Sequence, residues 1–446
     1  MRRMARGLVL TLAFGAAACG SDQPPTSTTP PSAATLAATT AKPKASATAT
    51  ASAAAPAAQR PAPAGLASLA KSSNAFGLAL YDQLRQAPGN LALSPASISI
   101  ALAMTWAGAR GDTAAEMQKV LHLEGAPDAV MKSAGELAAY LQDPARPVTL
   151  RIANRLFGEK SYSFERPYLD QTKAAFGAPL EAVDFKGATE QARGQINDWV
   201  SQETEQRIKD LLPARSLTSN TRLVLVNAIY FLANWREPFD PQSTKPAKFN
   251  LSTTQSKDVP TMNHTGYFLT AAADGVKLLE LPYKDENMAL TIVLPDAVDG
   301  LGAVEKALTA DAFAKWTGAL QGERLMVALP KFELAPEPSL ALADNLRSLG
   351  MSSAFDRKKA DFTGIANPPN KDDRLSVSQV FHKAFVKVDE KGTEAAAATA
   401  VVAVAGGAAP AKPRELVVDH PFLFFVRERT SGMILFMGRV TDPALH

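Results

Sequence analysis

A run of small side chains near the C-terminal end constrains the fold of this chain more than any other feature. Gly392 leads from a predicted strand into residues 393–405, which are all alanine, valine or threonine apart from Glu394. At roughly 3.3 Å per residue the extended run spans ~40 Å, enough to add one complete strand to a large sheet. Alternation places Thr393 and every second residue after it on an uncharged face, with Glu394 on the opposite face. Such a strand can pass between neighbours that are packed at crystal-like density.

Composition alone favours a helix or a linker for this run, because alanine is the strongest helix former and another alanine-rich segment lies near the start of the chain. The flanking sequences favour a strand instead. Residues 375–389 before the run are predicted to form one long strand. Residues 419–427 and 433–440 after it predict two apolar strands joined by a turn at residues 430–432.

Upstream segments predict the core that surrounds these strands. Ser94 is a predicted N-cap with Pro95 at the first helical position, and Gly108 ends that helix. The sequence Thr-Ala-Ala-Glu at residues 113–116 predicts a capping box that opens a second helix. Residues 222–232 form a nearly continuous apolar run, which is typical of a strand buried on both faces.

Several of these segments, in order and spacing from about residue 66 to the end, resemble the serpin family. The resemblance rests on the phrases HKAF at 382–385, EKGTEAAAAT at 390–399, HPFLFF at 420–425 and ILFMGRV at 434–440, and on residues 90–100, 234–239, 329–332 and 361–365. It implies a mixed α/β fold with a large central β-sheet, two further sheets, about nine helices and an exposed reactive loop at residues 390–414. The hydrophobic content of 46% agrees with one large domain over residues 66–446.

The resemblance implies a serine protease inhibitor that acts as a suicide substrate and turns over nothing itself. A protease would cleave the reactive loop, and the freed strand would enter the central sheet while the protease is still attached as an acyl-enzyme. Three groups of residues are implied: a hinge of Glu390, Gly392, Thr393, Glu394, Ala395, Ala396, Ala397, Ala398 and Thr399; a sheet-opening cluster of Ser94, Ser97, Asn227 and His382; and an insertion-start cluster of Trp235, Lys331 and Glu390. Lys331 and Glu390 are expected to form an ion pair where insertion starts; the alternative is an exposed contact worth ~0–1 kcal/mol.

Two counts locate the bond that the protease would cleave. The family spacing of fourteen residues beyond Gly392 gives the bond Gly406–Gly407. Counting back from Pro413 gives a site near Pro410, so the loop is about four residues longer than usual. The predicted range is therefore Val404 to Ala411. Small side chains throughout Val404 to Ala409 suit elastase- or subtilisin-like pockets, which accept little volume, rather than a trypsin-like pocket.

The first 65 residues differ in composition from the rest. Three arginines precede an apolar run at residues 8–18, which is too short to span a bilayer and predicts a signal peptide over residues 1–18. The only cysteine, Cys19, follows at a position that resembles a bacterial lipoprotein cleavage site, which implies that Cys19 is lipidated. A non-lipidated export signal is the alternative. Residues 19–65 are rich in alanine, proline, threonine and serine and predict a disordered tether.

The sequence disfavours several other classes of function. The five histidines form no close ligand pair, and no Gly-x-Ser-x-Gly elbow or phosphate loop occurs, so no enzyme, metal site or cofactor is predicted. The net charge of +3 is too small to indicate nucleic acid as a partner.

The expected partners are serine proteases and, through the lipid, a membrane. The protein is expected to be a monomer that is exported to the outer membrane or cell surface, or alternatively secreted or periplasmic. Two other functions stay open. One is a non-inhibitory serpin-fold lipoprotein with a binding or chaperone role. The other is an unrelated surface lipoprotein, such as an adhesin or a wall-binding module.

Overall fold

The structure is a computed structural model that describes residues 60–177, 180–335, 337–393 and 413–445. Within these ranges the chain forms nine helices. They are α1 (Leu66–Leu84), α2 (Pro95–Ala107), α3 (Gly111–Leu121), α4 (Pro127–Leu141), α5 (Arg166–Phe176), α6 (Thr189–Glu203), α7 (Leu301–Ala307), α8 (Ala310–Gly318) and α9 (Ala343–Ser348). The predicted number of helices is thereby confirmed.

Sixteen strands in the same ranges form two hydrogen-bonded sheets. The strands are β1 (Leu91–Leu93), β2 (Val148–Glu159), β3 (Glu181–Val183), β4 (Leu223–Asn234), β5 (Lys245–Asn250), β6 (Ser256–Ala273), β7 (Val276–Pro282), β8 (Met288–Pro295), β9 (Gln321–Pro330), β10 (Phe332–Leu334), β11 (Leu340–Ala341), β12 (Gln379–Asp389), β13 (Gly392–Thr393), β14 (Arg414–Val417), β15 (Phe422–Glu428) and β16 (Ile434–Val440).

The central sheet has seven strands in the order β10-β12-β13-β4-β2-β3, with β11 also paired to β12. The other sheet has nine strands in the order β1-β16-β15-β8-β7-β6-β9-β14, with β5 paired to β6. The long strand β6 pairs in turn with β5, β9 and β7 along its length, so hydrogen bonds join the two predicted further sheets into one. The predicted mixed α/β class is confirmed.

Strand β4 lies in the middle of the central sheet and is covered on both faces, as its apolar sequence predicts. Side chains such as Val226 and Tyr230 pack on one face against the apolar side of α6. The alternating side chains, such as Ile229 and Phe231, pack on the other face against residues of the nine-stranded sheet. A strand that enters beside β4 must therefore present small side chains to both faces.

Helix α2 lies against β2 and β4 and is buried nearly all round, which makes it a core helix. Its predicted N-cap is present: the Ser94 hydroxyl accepts a hydrogen bond from the Ser97 N–H, and Pro95 occupies the first turn. The predicted capping box of the next helix is wrong, because α3 begins at Gly111 after Arg110. The side chains of the predicted capping box instead form hydrogen bonds with residues far away in the sequence. The Thr113 hydroxyl accepts from the Asp361 N–H, and the Glu116 carboxylate accepts from Ser353.

The strand predicted over residues 375–389 is shorter in the structure, where β12 begins at Gln379. The preceding residues bond outside the β12 ladder: the Val377 N–H donates to the Ala354 carbonyl and the Ser378 N–H donates to the Leu223 carbonyl. The predicted C-terminal hairpin is present as β15 and β16. Among the described helices, none has the length and apolar character that crossing a bilayer requires.

Candidate functional site

The central sheet changes its pairing between β4 and β12. These two strands pair directly and in parallel from Gln379 opposite Val224 to Phe385 opposite Tyr230. Beyond Phe385 and Tyr230, toward the C-terminal ends of both strands, β13 lies between them and runs antiparallel to both. The two central strands therefore already diverge at one end, and the start of the hinge occupies the gap.

Two hinge residues, Gly392 and Thr393, are part of the sheet in the intact chain. Thr393 pairs with Val388 on one side and Ala233 on the other, and its side chain is fully buried. The sequence predicts that Thr393 enters only after cleavage, so the structure corrects the stage at which this residue is inserted. The other hinge positions (Glu394, Ala395, Ala396, Ala397, Ala398, Thr399) and the reactive bond Gly406–Gly407 lie outside the described residues.

Gly392 is required by the close approach of two backbones. A Cβ atom at this position would lie 1.9 Å from the Ala233 carbonyl oxygen, which is backbone and cannot move aside without breaking the pairing. Only glycine therefore allows β13 to pair with β4 at this point. The flanking strand thus fixes the residue type at the start of the hinge.

A buried aromatic pair receives the Thr393 side chain. The Thr393 hydroxyl lies 2.6 Å from the Tyr283 hydroxyl, and the Tyr283 ring stacks on Trp235 with centroids 4.7 Å apart. Burial raises the pKa of Tyr283 well above its ordinary value, so the phenol stays neutral. The sequence analysis missed Tyr283, because an aromatic residue that follows an apolar strand is expected to be an ordinary part of the hydrophobic core.

The turn between β12 and β13 is held by main-chain and side-chain bonds. The Trp235 and Phe239 N–H groups donate to the carbonyls of Lys391 and Glu390, both at 2.8 Å. The Glu390 carboxylate accepts from Lys331 Nζ at 2.8 Å and from the Thr244 hydroxyl at 2.8 Å. The structure thus brings the three residues of the insertion-start cluster together.

The predicted Lys331–Glu390 ion pair is present, and it is not the exposed contact of the alternative, because the Glu390 side chain is only 12% exposed. Burial by itself raises the pKa of Glu390. The hydrogen bonds from Lys331 and Thr244 outweigh burial, so the pKa lies below its ordinary value. The carboxylate is therefore ionised at neutral pH and ties the start of the hinge to β9–β10 and to the segment after β4.

The sheet-opening cluster lies lower down, where β4 and β12 pair directly. His382 is paired with Asn227 across the ladder and bonds it through Nδ1, while its Nε2 accepts from the Ser94 N–H at 3.0 Å. Asn227 also donates to the Ser97 hydroxyl. The four predicted residues are thus in mutual contact, and any strand entering here must break the His382–Asn227 bond.

A fifth residue, Asn154 of β2, completes this cluster. Its side-chain oxygen accepts from Asn227, and its side-chain nitrogen donates to the Ser97 carbonyl at 3.1 Å. Sequence reasoning missed it. The available signal was an asparagine in a strand with otherwise apolar or charged neighbours, and the register, which places it opposite Asn227, was needed to recognise it.

The buried histidine predicts a pH-dependent stability. Burial lowers the pKa of His382 to about 3, and only the bond with Asn227 opposes that shift. An unfolded histidine takes up a proton near pH 6.5, whereas the folded one does not until about pH 3. Between these values the unfolded state binds the extra proton. The free energy of unfolding therefore falls by about 1.4 kcal/mol per pH unit as the pH is lowered.

Urea unfolding at pH 7, 6 and 5 tests this for the parent and His382→Gln. The variant loses the bonds of the imidazole and is expected to be less stable at pH 7. The difference in the free energy of unfolding between the parent and the variant should shrink by about 2 kcal/mol by pH 5. Only the parent has a histidine here whose protonation in the unfolded state lowers stability as the pH falls. Parallel pH profiles for the two proteins would contradict the assignment of a neutral, buried His382.

The far end of the loop is attached to the other sheet. Strand β14 pairs in parallel with β9 from Arg414 opposite Leu325 to Val417 opposite Ala328. The Arg414 guanidinium also makes two hydrogen bonds to the Glu323 carboxylate, at 2.7 and 2.9 Å. Residues 394–412 therefore connect a strand in the central sheet to a strand in the other sheet.

This arrangement defines a class of protein. In it the central sheet has a preformed gap, and the gap holds the start of a small-residue segment that is fixed at both ends. Comparisons with known proteins agree. A family model described as serpin (serine protease inhibitor) matches residues 71–443. The leukocyte elastase inhibitor of Bos taurus is 40% identical over 388 residues, covering 85% of this chain and 100% of that protein. The chain therefore belongs to the serpin family.

Solved structures give the same result. Uncleaved ovalbumin aligns with a TM-score of 0.76 and 29% identity over 84% of this chain and 100% of that chain. Serpin48 of the insect Tenebrio molitor aligns with a TM-score of 0.73 and 33% identity over 84% of this chain and 98% of that chain. The family model is described as a serine protease inhibitor and the relative is named as an inhibitor, which confirms the prediction that the chain is not an enzyme.

Proposed function

We propose that the protein inhibits serine proteases as a suicide substrate, through cleavage of residues 390–414 and insertion of the freed segment between β4 and β12. The observation that carries the proposal is β13, which already lies between these strands and is antiparallel to both. Insertion is then the continuation of a ladder that the intact chain has begun. No new strand pairing has to be nucleated, which removes the most costly step.

The register of β13 gives the position of each residue after insertion. If the ladder continues from Thr393, residue 399 falls opposite both Asn227 and His382, the pair whose bond holds the sheet closed. Odd-numbered residues face the side of Ile229 and Phe231. Even-numbered residues beyond Glu394 face the side covered by α6. Both faces are packed, so alanine, threonine and valine suit the whole length of the run.

The pairing change also gives insertion a driving force. Entry of the strand replaces a parallel pair by two antiparallel pairs, which are more stable per residue, and adds backbone hydrogen bonds on both sides. While the loop is uncut, its attachments at β13 and β14 hold it out of the sheet. Cleavage separates the part of the loop attached at β13 from the part attached at β14. The intact protein is therefore kinetically held in a state less stable than the cleaved one.

A protease that cleaves the loop forms an acyl-enzyme with the part of the loop on the N-terminal side of the cleaved bond. Insertion before hydrolysis would carry the protease with the strand and distort its active site. The predicted bond range Val404 to Ala411 contains small side chains only, apart from Pro410, so we propose elastase- or subtilisin-like targets. The relative named leukocyte elastase inhibitor supports the same target class.

The direct test is covalent complex formation with pancreatic elastase. The expected product is a complex that survives boiling in SDS, together with a smaller C-terminal fragment whose mass places the cleaved bond within residues 404–411. Elastase with its serine blocked beforehand is the control and should give no complex. Rapid cleavage without any complex would reject inhibition and support the non-inhibitory serpin-fold alternative, as would a loop that no serine protease cleaves.

We further propose that the mature chain begins at lipidated Cys19 and is exported as a monomer to the outer membrane or cell surface. The apolar run at residues 8–18 and the single cysteine after it support this. Cys19→Ser is expected to leave the protein unprocessed or released, because the variant has no acyl acceptor. Membrane fractionation of the parent and variant tests it, and an equal membrane-bound share in both would disprove lipidation.

A further inference from the structure

A cleft of about 670 Å³ lies between α6 and the edge strands of the central sheet, away from the hinge. One wall comes from β2 and β3, and the other comes from α6. The lining side chains are Arg155, Phe157, Glu181, Gln191, Gln195, Asp198, Trp199 and Gln202, with Gly194 between them on the helix. The volume is within the range of small-molecule sites in proteins. The proposed inhibitory mechanism gives none of these residues a role.

Two hydrogen-bond donors of this cleft have no partner in the described part of the chain. They are the Nε of Arg155 and the Nε1 of Trp199. The Arg155 guanidinium lies over the Trp199 ring at 4.4 Å and pairs through Nη1 with Glu181 at 3.1 Å. Both atoms have almost no solvent-accessible surface, and an unpaired donor held away from solvent costs free energy, so a small turn of either side chain toward an acceptor in the cleft would be stabilising.

The helix itself has an unusual residue in the cleft wall. Gly194 lies in the interior of α6, where glycine is less favourable than alanine. A Cβ atom at this position would meet nothing within 4 Å, so no packing contact requires the glycine. Its effect is to leave space in the wall of the cleft. A site that is kept open at a cost in helix stability is consistent with a ligand.

The side chains of α6 that face the cleft are polar and regularly spaced. Gln191, Gln195, Asp198 and Gln202 follow one another at intervals of four, three and four residues, which is one face of a helix. The apolar residues of α6, such as Ile196 and Val200, pack instead on the central sheet. The cleft therefore combines amide donors and acceptors with two aromatic rings, those of Phe157 and Trp199.

We propose that this cleft binds a neutral oligosaccharide. Arg155 is already balanced by Glu181, and Asp198 adds a further negative charge, so an anionic ligand is disfavoured. The amides disfavour a purely apolar ligand, because their hydrogen bonds to water would be lost. A sugar hydroxyl both donates and accepts. It can therefore accept from a glutamine amide and donate to Asp198 or a second glutamine, while its C–H face lies on apolar surface.

The probes are maltotriose, cellotriose and N,N′-diacetylchitobiose, each titrated into the parent protein. Of the four tryptophans, Trp106, Trp235 and Trp316 are buried, so quenching of fluorescence by acrylamide reports mainly on Trp199. At least one probe is expected to give saturable protection of Trp199. If none of the three does, or if a sulfated disaccharide binds more tightly than all of them, the proposal of a neutral-sugar site is wrong.

Gly194→Ala separates a binding role from a structural one. The added methyl group should narrow the cleft and weaken binding about tenfold or more. The same change should leave the protein equally or more stable to heat, because alanine is the better helix former. Gly302→Ala is the matched control: that glycine also lies in a helix, α7, with nothing within 4 Å of its missing Cβ. The affinity of Gly302→Ala for the bound probe should equal that of the parent. Unchanged affinity in Gly194→Ala would overturn the proposal.

Discussion

Thr393→Arg is expected to turn the inhibitor into a substrate. Thr393 faces the buried side of the central sheet and bonds Tyr283, so the variant would place an unpaired cation where no solvent reaches. Burial of an unpaired charge costs several kcal/mol, and each 1.4 kcal/mol slows a step about tenfold. Slow insertion gives the bound protease time to hydrolyse its acyl bond.

The structure adds one step to this expectation, because Thr393 is already buried before cleavage. In the variant the arginine can escape only if β13 leaves the sheet, which removes two paired positions on each side. The protein should still fold, since the direct pairs between β4 and β12 are untouched. The loop should still be cleaved at the same bond.

The measurement is the number of inhibitor molecules consumed per protease molecule inactivated. We expect a rise of about tenfold or more for Thr393→Arg, with cleaved monomer in place of complex. Glu394→Arg is the control, because the continued register places residue 394 opposite Lys387, whose side chain is 39% exposed. A cation there stays solvated, so the ratio should change much less. Equal ratios in the parent and both variants would rule out insertion as the mechanism.

The elements that surround the hinge could be predicted from the sequence because local patterns specify them. The apolar run of β4 predicts a strand covered on both faces, and Ser94 with Pro95 predicts the start of α2. Gly392 followed by small residues predicts a segment that can enter a sheet. Each inference needs only periodicity, propensity and side-chain size within one segment.

The contacts that depend on two distant segments could not be predicted in the same way. Tyr283 reaches Thr393 across 110 positions of sequence, and Asn154 reaches Asn227 across 73. The Thr113–Glu116 pattern fits a capping box, yet both side chains bond to distant loops instead. Local sequence cannot specify such pairs, because tertiary packing decides which donor meets which acceptor.

The partial insertion of the hinge is also a tertiary result. The sequence shows that residues 393–405 can enter a sheet, but it does not show how many of them enter before cleavage. That number depends on the balance between the Thr393–Tyr283 contact, the turn anchored by Glu390 and the tension from β14 at the other end of the loop. The structure gives two residues for the intact chain.

Cleavage of the loop is expected to make the protein much more stable to heat. The continued register pairs residues 393–402 with both β4 and β12, replacing the direct pairs that these strands make with each other in the intact chain. We expect on the order of ten additional backbone hydrogen bonds, each worth about 1 kcal/mol net. The gain of roughly 10 kcal/mol corresponds to a rise in Tm on the order of 10 °C for a domain of this size.

Thermolysin, used in catalytic amounts, is suited to prepare the cleaved form, because a metalloprotease makes no acyl-enzyme and cannot be trapped. Calorimetry then compares intact and cleaved protein. The cleaved Thr393→Arg variant is the matched control, because burial of an unpaired arginine at the first inserted position costs several kcal/mol and should reduce the gain by about that amount. If the intact and cleaved parent proteins melt at the same temperature, the loop does not enter the sheet on cleavage. The protein would then be a serpin by fold without the movement that inhibition requires.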